Sequence, residues 1–270
     1  HGGSQCAEFL RDYLHQFIIK DDDFPENPIR AIRRGFREAE RLFLEFAEKQ
    51  EEEIGDIDRS GSCAIVVLII DEMCYVANVG DSRVIMSADG GEKIFALTND
   101  HKPTEEKELK RIMENGGKIY QNSSVVQNSH PGQRTQQIIL GPHRVFPGRL
   151  SVSRTFGDIE AKMVKFEGNP HVVIAEPDIT AFKIRNNYDF IFMACDGVFD
   201  KVSNKDVIHL IWQSMQTQKT NENDPKFDVH QQSGKAVDAV LKTSALRKTC
   251  DNITAVLIAF DNFENLISSQ

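Results

Sequence analysis

The chain has 270 residues, which is enough for one large domain or two small ones. Its 40% hydrophobic and 27% charged residues are ordinary for a globular protein. Acidic residues outnumber basic ones, 41 to 32, and the net charge of -9 argues against binding to a nucleic acid backbone or an anionic membrane. The 5 cysteines show no paired spacing, which indicates reduced thiols and an intracellular protein of the cytoplasm or nucleus. Nothing in the sequence indicates oligomerisation, so we expect a monomer.

Helical periodicity marks the first part of the chain. Apolar residues recur three and four positions apart from Cys6 to Ile18 and again from Ile29 to Phe46, and the segment from Asp21 to Pro28 interrupts the pattern. This spacing predicts two amphipathic helices that pack as an antiparallel pair. Further helices are predicted from Pro103 to Asn115, after a capping Ser203, and across Ala236 to Leu241.

Strand signals follow the helical pair. The apolar runs Ala64 to Ile70, Tyr75 to Val79 and Val84 to Met86 are separated by turn residues, and this pattern predicts a β-meander. The stretch from Tyr120 to His143 is rich in Asn, Ser and Gln and is interpreted as an inserted surface loop; Lys219 to His230 is interpreted as another loop. Since the sequence has no repeats and no convincing boundary, we expect a single domain over residues 1–270, with strands inside and helices outside.

Two apolar runs each carry an aspartate at one end. Phe190 to Cys195 is an unbroken apolar run that stops at Asp196, and Asp251 opens the run from Ile253 to Phe260. If the two strands are antiparallel in one sheet, the end of the first lies beside the start of the second. Asp196 and Asp251 would then be neighbours, and adjacent carboxylates repel each other unless a cation lies between them. The alternative is that each aspartate is a turn or cap residue.

Asp158 is a third candidate ligand, although taken alone it is explained equally well as a structural residue. It follows Gly157 in a segment of small residues that would let the backbone approach a ligand. Carboxylate oxygens suit hard cations such as Mg²⁺ or Mn²⁺. The sequence contains no His/Cys cluster with zinc spacing and no Walker loop.

Three other residues could carry chemistry but are interpreted as structural. His101 precedes a predicted helix and is expected to order the loop before it. Asp81 lies at a predicted hairpin and is expected to contact Arg83. Cys195 ends an apolar run, and a thiol in apolar surroundings is expected to have a packing role and not to act as a nucleophile.

Seven short motifs occur in order along the chain: His1-Gly2-Gly3, Ser60-Gly61-Ser62, Gly80-Asp81-Ser82-Arg83, Asp100-His101-Lys102-Pro103, Leu150 to Asp158, Asp196 to Asp200, and Asp251-Asn252-Ile253-Thr254. This ordered set resembles the metal-dependent PP2C-type (PPM family) serine/threonine protein phosphatases. The resemblance implies an α+β fold, a four-layer α-β-β-α sandwich of two antiparallel sheets flanked by helix pairs. It also implies two Mg²⁺ or Mn²⁺ ions that bridge a water, which attacks the phosphorus of a phosphoprotein substrate.

The resemblance also assigns roles to single residues. Asp196 and Asp251 would be ligands of the paired metals, and Asp158 would hold a weaker third ion together with Asp196. His1 corresponds to the histidine proposed as general acid, which protonates the departing serine or threonine oxygen. The segment from Glu160 to Pro177 would fall in a flap beside the active site, where substrate choice is thought to be tuned.

The chain departs from the family pattern at its start. In the family, His-Gly-Gly is preceded by Asp-Gly, which supplies metal ligands, and an earlier segment supplies a phosphate-binding Arg and further acidic ligands. Two readings stay open: the natural protein has these residues and the chain is truncated, or the protein is a pseudophosphatase that binds a partner without catalysis. The presence of Asp158, Asp196 and Asp251 favours an active parent. For the chain as given, we expect feeble metal affinity and little or no activity.

A rival enzyme class is the aspartyl-phosphate phosphatases of the haloacid-dehalogenase type, which also end an apolar strand on an aspartate. That chemistry uses a second aspartate two positions later, and this chain has Val198 there. We therefore expect no covalent phospho-aspartate at Asp196.

Overall fold

The computed structural model describes residues 1–130, 133–216 and 228–268. The chain forms two compact units that interleave along the sequence. One unit comprises His1–Ala64 and His101–Pro177, and the other comprises Ile65–Asp100 and Asp178–Gln270. None of the described helices combines the length and apolar character needed to cross a bilayer.

The helices are α1 Gln5–Ile19, α2 Pro28–Ile54, α3 Glu106–Glu114, α4 Ile159–Lys162, α5 Asp196–Phe199, α6 Asn204–Gln216, α7 Val229–Leu246 and α8 Asp261–Ser268. The strands are β1 Gly61–Ser62, β2 Ala64–Ile70, β3 Met73–Val79, β4 Arg83–Ala88, β5 Lys93–Ala96, β6 Lys118–His130, β7 Gln133–Phe146, β8 Phe156–Gly157, β9 Asp178–Lys183, β10 Tyr188–Ala194 and β11 Ala255–Ala259.

In the first unit, α1 and α2 form the predicted antiparallel pair. The rings of Phe9 and Phe43 lie 5.6 Å apart at one end, and Ile18 packs closely on Gly35 at the other. Asn27 caps α2 by accepting a hydrogen bond from the backbone N–H of Arg30 at 3.2 Å, and a proline follows the cap. The predicted break between the helices is therefore a turn that ends in a helix cap.

The interpretation of Tyr120 to His143 as a loop is wrong, because β6 and β7 pair as a long antiparallel hairpin across this stretch. The hairpin is held by hydrogen bonds between the two backbones, so its sequence need not alternate apolar and polar residues. Ile138 and Leu140, for example, are 67% and 62% exposed. The register shifts where Gly141 and Pro142 together lie opposite Asn122, which is a β-bulge. A bulge tolerates proline because the extra residue donates no ladder hydrogen bond.

The second unit contains two antiparallel sheets, with strand orders β11-β10-β4-β5 and β2-β3-β9. Alternate residues of β10 face opposite ways: Phe190 and Phe192 pack with apolar residues of α6, α7 and α8, whereas Ile191 packs with Cys74 and Val76 of the other sheet. This unit thus has three layers: the β2-β3-β9 sheet, the β11-β10-β4-β5 sheet packed on it, and helices that cover the other face of the second sheet. The predicted α+β class with antiparallel sheets is confirmed.

The predicted β-meander is wrong in its third strand. β2 and β3 are neighbours as expected, but β4 pairs with β10 and β5 in the other sheet. The chain turns between the sheets at Gly80, whose φ of +110° is accessible to glycine. Five of the six β4 residues are buried, which suits a strand inside a sheet that is covered on both faces.

Towards the C-terminus, Ser203 caps α6 as predicted, with its Oγ accepting from the N–H of Asp206 at 3.1 Å. The predicted loop Lys219 to His230 lies outside the described residues up to position 227, and its last two residues belong to α7. The sequence patterns gave no sign of α8. Phe263 of this short helix covers Phe190, and the centroids of the two rings are 5.1 Å apart.

In the first unit, a buried ionic cluster joins α3 to the segment that precedes β8. Glu108, only 3% exposed, accepts hydrogen bonds from Arg154 at 2.6 Å, from Arg111 at 2.5 Å and from the hydroxyl of Ser153. Burial alone would raise the pKa of Glu108. The bonds from Arg154 and Ser153 and the charges of Arg154 and Arg111 outweigh burial and lower the pKa to about 2, from 4.5.

We expect Glu108→Gln to lower the free energy of unfolding at pH 7 by about 3–5 kcal/mol, because it leaves the buried guanidinium group of Arg154 and the half-buried one of Arg111 without their carboxylate. A depressed pKa stabilises the fold fully above pH 4.5, and this contribution is lost as the pH falls towards 2. As the pH falls from 4.5 to about 2, the free energy of unfolding of Glu108→Gln should therefore decrease less than that of the wild type. Urea unfolding at a series of pH values measures both effects. The matched control is Glu106→Gln, at an exposed position of the same helix, and an equal loss in both variants would contradict the prediction.

Candidate active site

In the first unit, His1 and Asp158 are in direct contact. The Nε2 atom of His1 lies 2.7 Å from Oδ1 of Asp158, and the two side chains are 48% and 8% exposed. Burial raises the pKa of Asp158, and the Thr155 hydroxyl and the Lys162 charge act in the opposite direction without outweighing it. The structure thus brings together two of the four predicted site residues, an accessible imidazole and a buried carboxyl group.

The backbone around Asp158 explains how this carboxyl group is placed. β8 pairs with β1, with Gly157 opposite Gly61, and the N–H of Asp158 donates to the Ser60 carbonyl at 3.0 Å. Asp158 itself has a φ of 52°, in the left-handed region that Asp tolerates better than most residues. Its side chain lies directly over Gly61, where a Cβ atom would be 2.1 Å from Oδ2. A glycine is therefore required at position 61.

In the second unit, Asp196 and Asp251 lie at the same end of two paired strands. β10 and β11 are antiparallel with Ala194 opposite Ala255, and beyond this pair the N–H of Cys195 donates to the Thr254 carbonyl at 3.2 Å. The antiparallel pairing that the sequence analysis supposed is therefore present in the structure. Just past the strand ends, a Cβ atom at Gly197 would lie 3.3 Å from Cβ of Asp251 and 2.2 Å from the Asn252 carbonyl oxygen. The absence of a side chain at Gly197 lets the two acidic turns approach each other.

Each of the two aspartates also bonds the backbone of its own turn, as the alternative interpretation as turn residues predicted. Oδ1 of Asp196 accepts from the N–H of Gly197 at 2.9 Å, and Oδ1 of Asp251 accepts from the N–H of Asn252 at 2.8 Å. Asp196 is half-buried and Asp251 is exposed. These bonds orient the two side chains at the ends of their turns. Their role as metal ligands stays a prediction.

The donor set fits a hard cation that keeps most of its own water. Within the ranges that the structure describes, no group of three or more His, Cys, Asp or Glu side chains surrounds one point. Mg²⁺ is commonly held by one or two carboxylates, with water and substrate phosphate completing the octahedron. Asp196 and Asp251 match that chemistry, and the lack of imidazole or thiolate partners among the described residues does not match a structural zinc site.

The remaining candidates have structural surroundings. His101 is 2% exposed, and its carbonyl accepts a hydrogen bond from the backbone N–H of Ser153 at 2.8 Å, as expected of a residue that orders its loop. The guanidinium group of Arg83 donates to both carboxylate oxygens of Asp100, at 3.0 and 2.8 Å, so Asp100 is its main acidic partner, and the predicted contact of Asp81 with Arg83 stays a prediction. The Cys195 thiol donates to the Asn252 carbonyl at 3.2 Å, which supports a packing role.

Sequence patterns missed two residues beside Asp158. Glu40 in α2 and Lys162 at the end of α4 form a buried ion pair next to β8. The sole sequence signal for Glu40 is that it interrupts the apolar stripe of α2 between Phe36 and Phe43. Lys162 is 122 positions away, and no local pattern connects the two.

We expect Gly61→Ala to displace the Asp158 carboxyl group and break its bond to His1, because the added methyl group would overlap Oδ2. Overpacking of this kind should also cost about 1–3 kcal/mol of stability. The ring signals of His1 in NMR spectra report the bond directly. Gly234→Ala is the matched control, since its Cβ atom would meet no neighbour within 4 Å and alanine favours the α7 helix. Unchanged His1 signals in Gly61→Ala would contradict the description of this contact.

Comparisons with known proteins agree with one another. A family model described as Protein phosphatase 2C matches residues 1–253. The chain is 31% identical over 261 residues to the probable protein phosphatase 2C 11 of Arabidopsis thaliana, covering 97% of this chain but 56% of the relative. The chain thus spans little more than half the length of that relative.

Two solved structures share the fold. A C. elegans sex determining protein superimposes with a TM-score of 0.72 at 19% identity, covering 99% of this chain and 56% of that chain. The serine-threonine phosphatase 2C from Toxoplasma gondii gives a TM-score of 0.66 at 19% identity, covering 96% of this chain and 82% of the other.

Proposed function

The chain belongs to the protein phosphatase 2C family, and on this premise we propose that it is a metal-dependent protein serine/threonine phosphatase. Its substrates would be phosphoproteins, and the reaction would be hydrolysis of phosphoserine and phosphothreonine. The observation that carries this proposal is the 2.7 Å contact between His1 and the buried Asp158, because it supplies an oriented proton donor.

We assign the binding of divalent cations to Asp196 and Asp251, with Mg²⁺ or Mn²⁺ as the ions. The support is their position at one end of the β10–β11 pair and their all-oxygen chemistry. The chemistry that a bound pair of such ions supplies is activation of a water and neutralisation of charge on the phosphoryl group. The part played by the chain is to hold the carboxylates in place, through the turn hydrogen bonds at Gly197 and Asn252.

His1 would act as the general acid. The departing serine or threonine oxygen is a strongly basic alkoxide, so its departure is assisted by a proton. Asp158 bonds Nε2 of the ring, which leaves Nδ1 as the nitrogen that would donate to the leaving oxygen. A carboxyl partner fixes the orientation and tautomer of an imidazole, as it does in hydrolytic triads.

The kinetic tests use this chain extended at its start by the family's Asp-Gly motif and the acidic segment before it, and the chain without the extension is expected to show little or no activity. We expect the extended protein to hydrolyse a phosphothreonine peptide with Mn²⁺ and to lose that activity with a chelator. Asp196→Asn and Asp251→Asn should each lower kcat by about 10²–10³-fold, the scale of losing one electrostatic contribution at a reacting group. Both should also weaken Mn²⁺ binding in calorimetric titrations. Asp206→Asn is the control, since this exposed carboxylate pairs with Arg247 and should leave both readings unchanged. A folded, Mn²⁺-supplied protein that hydrolyses no phosphopeptide would overturn the proposal.

The role of His1 predicts a dependence on the leaving group. We expect His1→Asn to lower kcat for a phosphothreonine peptide by about 10²–10⁴-fold, because the alkoxide then leaves unprotonated. An aryl phosphate with an acidic phenol needs no such proton and should be nearly unaffected. Steady-state kinetics on both substrates measures the difference. An equal loss on the two substrates would assign His1 a role other than general acid.

A further inference from the structure

The first unit contains an ion pair that the proposed chemistry does not use. The Lys162 ammonium group donates to Oε1 of Glu40, and their side chains are 4% and 16% exposed. Burying two charges costs several kcal/mol per ion, and the attraction between them repays this cost only in good geometry. A pair of apolar side chains would often stabilise such a position equally well, so the charges themselves call for an explanation.

The remaining hydrogen bonds of the pair go to the backbone beside Asp158. Lys162 donates to the Thr155 carbonyl at 2.7 Å, and Oε2 of Glu40 accepts from the N–H of Gly157 at 3.0 Å. The pair therefore holds one backbone group three residues before Asp158 and another immediately before it. Lys162 is itself four residues after Asp158, so the pair closes a loop around that residue.

Asp158 needs such support because its backbone is in a sparsely populated conformation. A non-glycine residue with a φ of 52° persists when its surroundings determine it from several sides. One side is the bond from the Asp158 N–H to the Ser60 carbonyl, and another is the bond from the Ala161 N–H to the Asp158 carbonyl. The Glu40–Lys162 ion pair is a further constraint, because it bonds this segment to helix α2.

We propose that Glu40 and Lys162 are positioning residues, which hold the Asp158 carboxyl group against His1. Their hydrogen bonds go to each other and to the backbone of Thr155 and Gly157, so they would act through Asp158. Their effect on catalysis rests on the proposed phosphatase function, whereas their effect on the His1–Asp158 contact does not. A shift of a catalytic group by about 1 Å can cost roughly 10²-fold in rate, which sets the scale of the expected effect.

The test uses Glu40→Gln, Lys162→Met and the double variant Glu40→Met/Lys162→Met, each measured for stability, for phosphopeptide hydrolysis with Mn²⁺, and for the His1 ring signals by NMR without metal. We expect kcat to fall about 10–100-fold with KM within about twofold, and the His1 signals to move, in all three. The double variant removes both charges and should recover stability relative to the single variants. Its kcat and His1 signals should nevertheless stay perturbed.

Two controls separate positioning from stability. Lys165→Met removes the ion pairs from Lys165 to Glu48 and Glu51, which connect the residues just after α4 to helix α2 at the surface. This variant should change neither kcat nor the His1 signals. Asp189→Asn disrupts a fully buried carboxylate that bonds Ser87 and Asn262. This variant should lose stability while kcat per folded molecule is unchanged.

The outcomes are distinct. If kcat and the His1 signals of the double variant return to wild-type values together with stability, the pair is structural and the inference is overturned. If the wild type shows no hydrolysis, the proposed function fails, but the NMR signals still decide whether Glu40 and Lys162 hold Asp158 against His1. If the single variants do not fold, kcat and the His1 signals of the double variant alone decide whether the ion pair positions Asp158.

Discussion

The pairing of β10 with its two neighbours is the constraint on which the second unit depends. β10 presents phenylalanines to the helices and Ile191 to the other sheet, so it contributes to both apolar cores of the unit. A one-residue slip of this strand would turn every side chain to the wrong layer, which fixes its register strongly. Because the register is fixed, Asp196 and Asp251 are brought to the same end of the β10–β11 pair without any direct attraction between them.

The first unit places its functional carboxyl group by a different physical means. Around Asp158 the positions are set by buried charges, with Glu108 binding Arg154 on one side and Glu40 binding Lys162 on the other. Apolar packing is tolerant of small shifts, whereas charged hydrogen bonds are directional and lose energy steeply when misaligned. Such bonds cost desolvation energy, and in return they hold a short irregular segment that contains few backbone ladder bonds.

The sequence predicted those parts of the fold that depend on local periodicity. The helices α1 and α2, the apolar strands and the cap at Ser203 follow from spacing alone. The antiparallel pairing of β10 with β11 was a supposition, from which the proximity of the two aspartates followed, and the structure contains this pairing. The partner of β4 was not predictable in this way, since the choice between two sheets is made by contacts distant in sequence. The β6–β7 hairpin was missed because its strands are polar on an exposed ribbon, where backbone hydrogen bonds replace side-chain burial.

For the candidate site, sequence reasoning found the residues that could carry chemistry and missed the ones that hold them. His1, Asp158, Asp196 and Asp251 were named from motifs, whereas the partner of Arg83 and the ion pair at Glu40 depend on the folded chain. A charged residue inside an apolar helical stripe is ambiguous until its partner is known.

The bulge in the β6–β7 hairpin has a consequence for solubility. A two-stranded ribbon has outer edges whose backbone groups can pair with another molecule, and exposed isoleucine and leucine side chains increase that hazard. At Gly141–Pro142 the edge strand is bent, and Pro142 has no N–H to offer to an incoming strand. The irregularity therefore interrupts the template along β7 and acts against edge-to-edge association between copies of the protein.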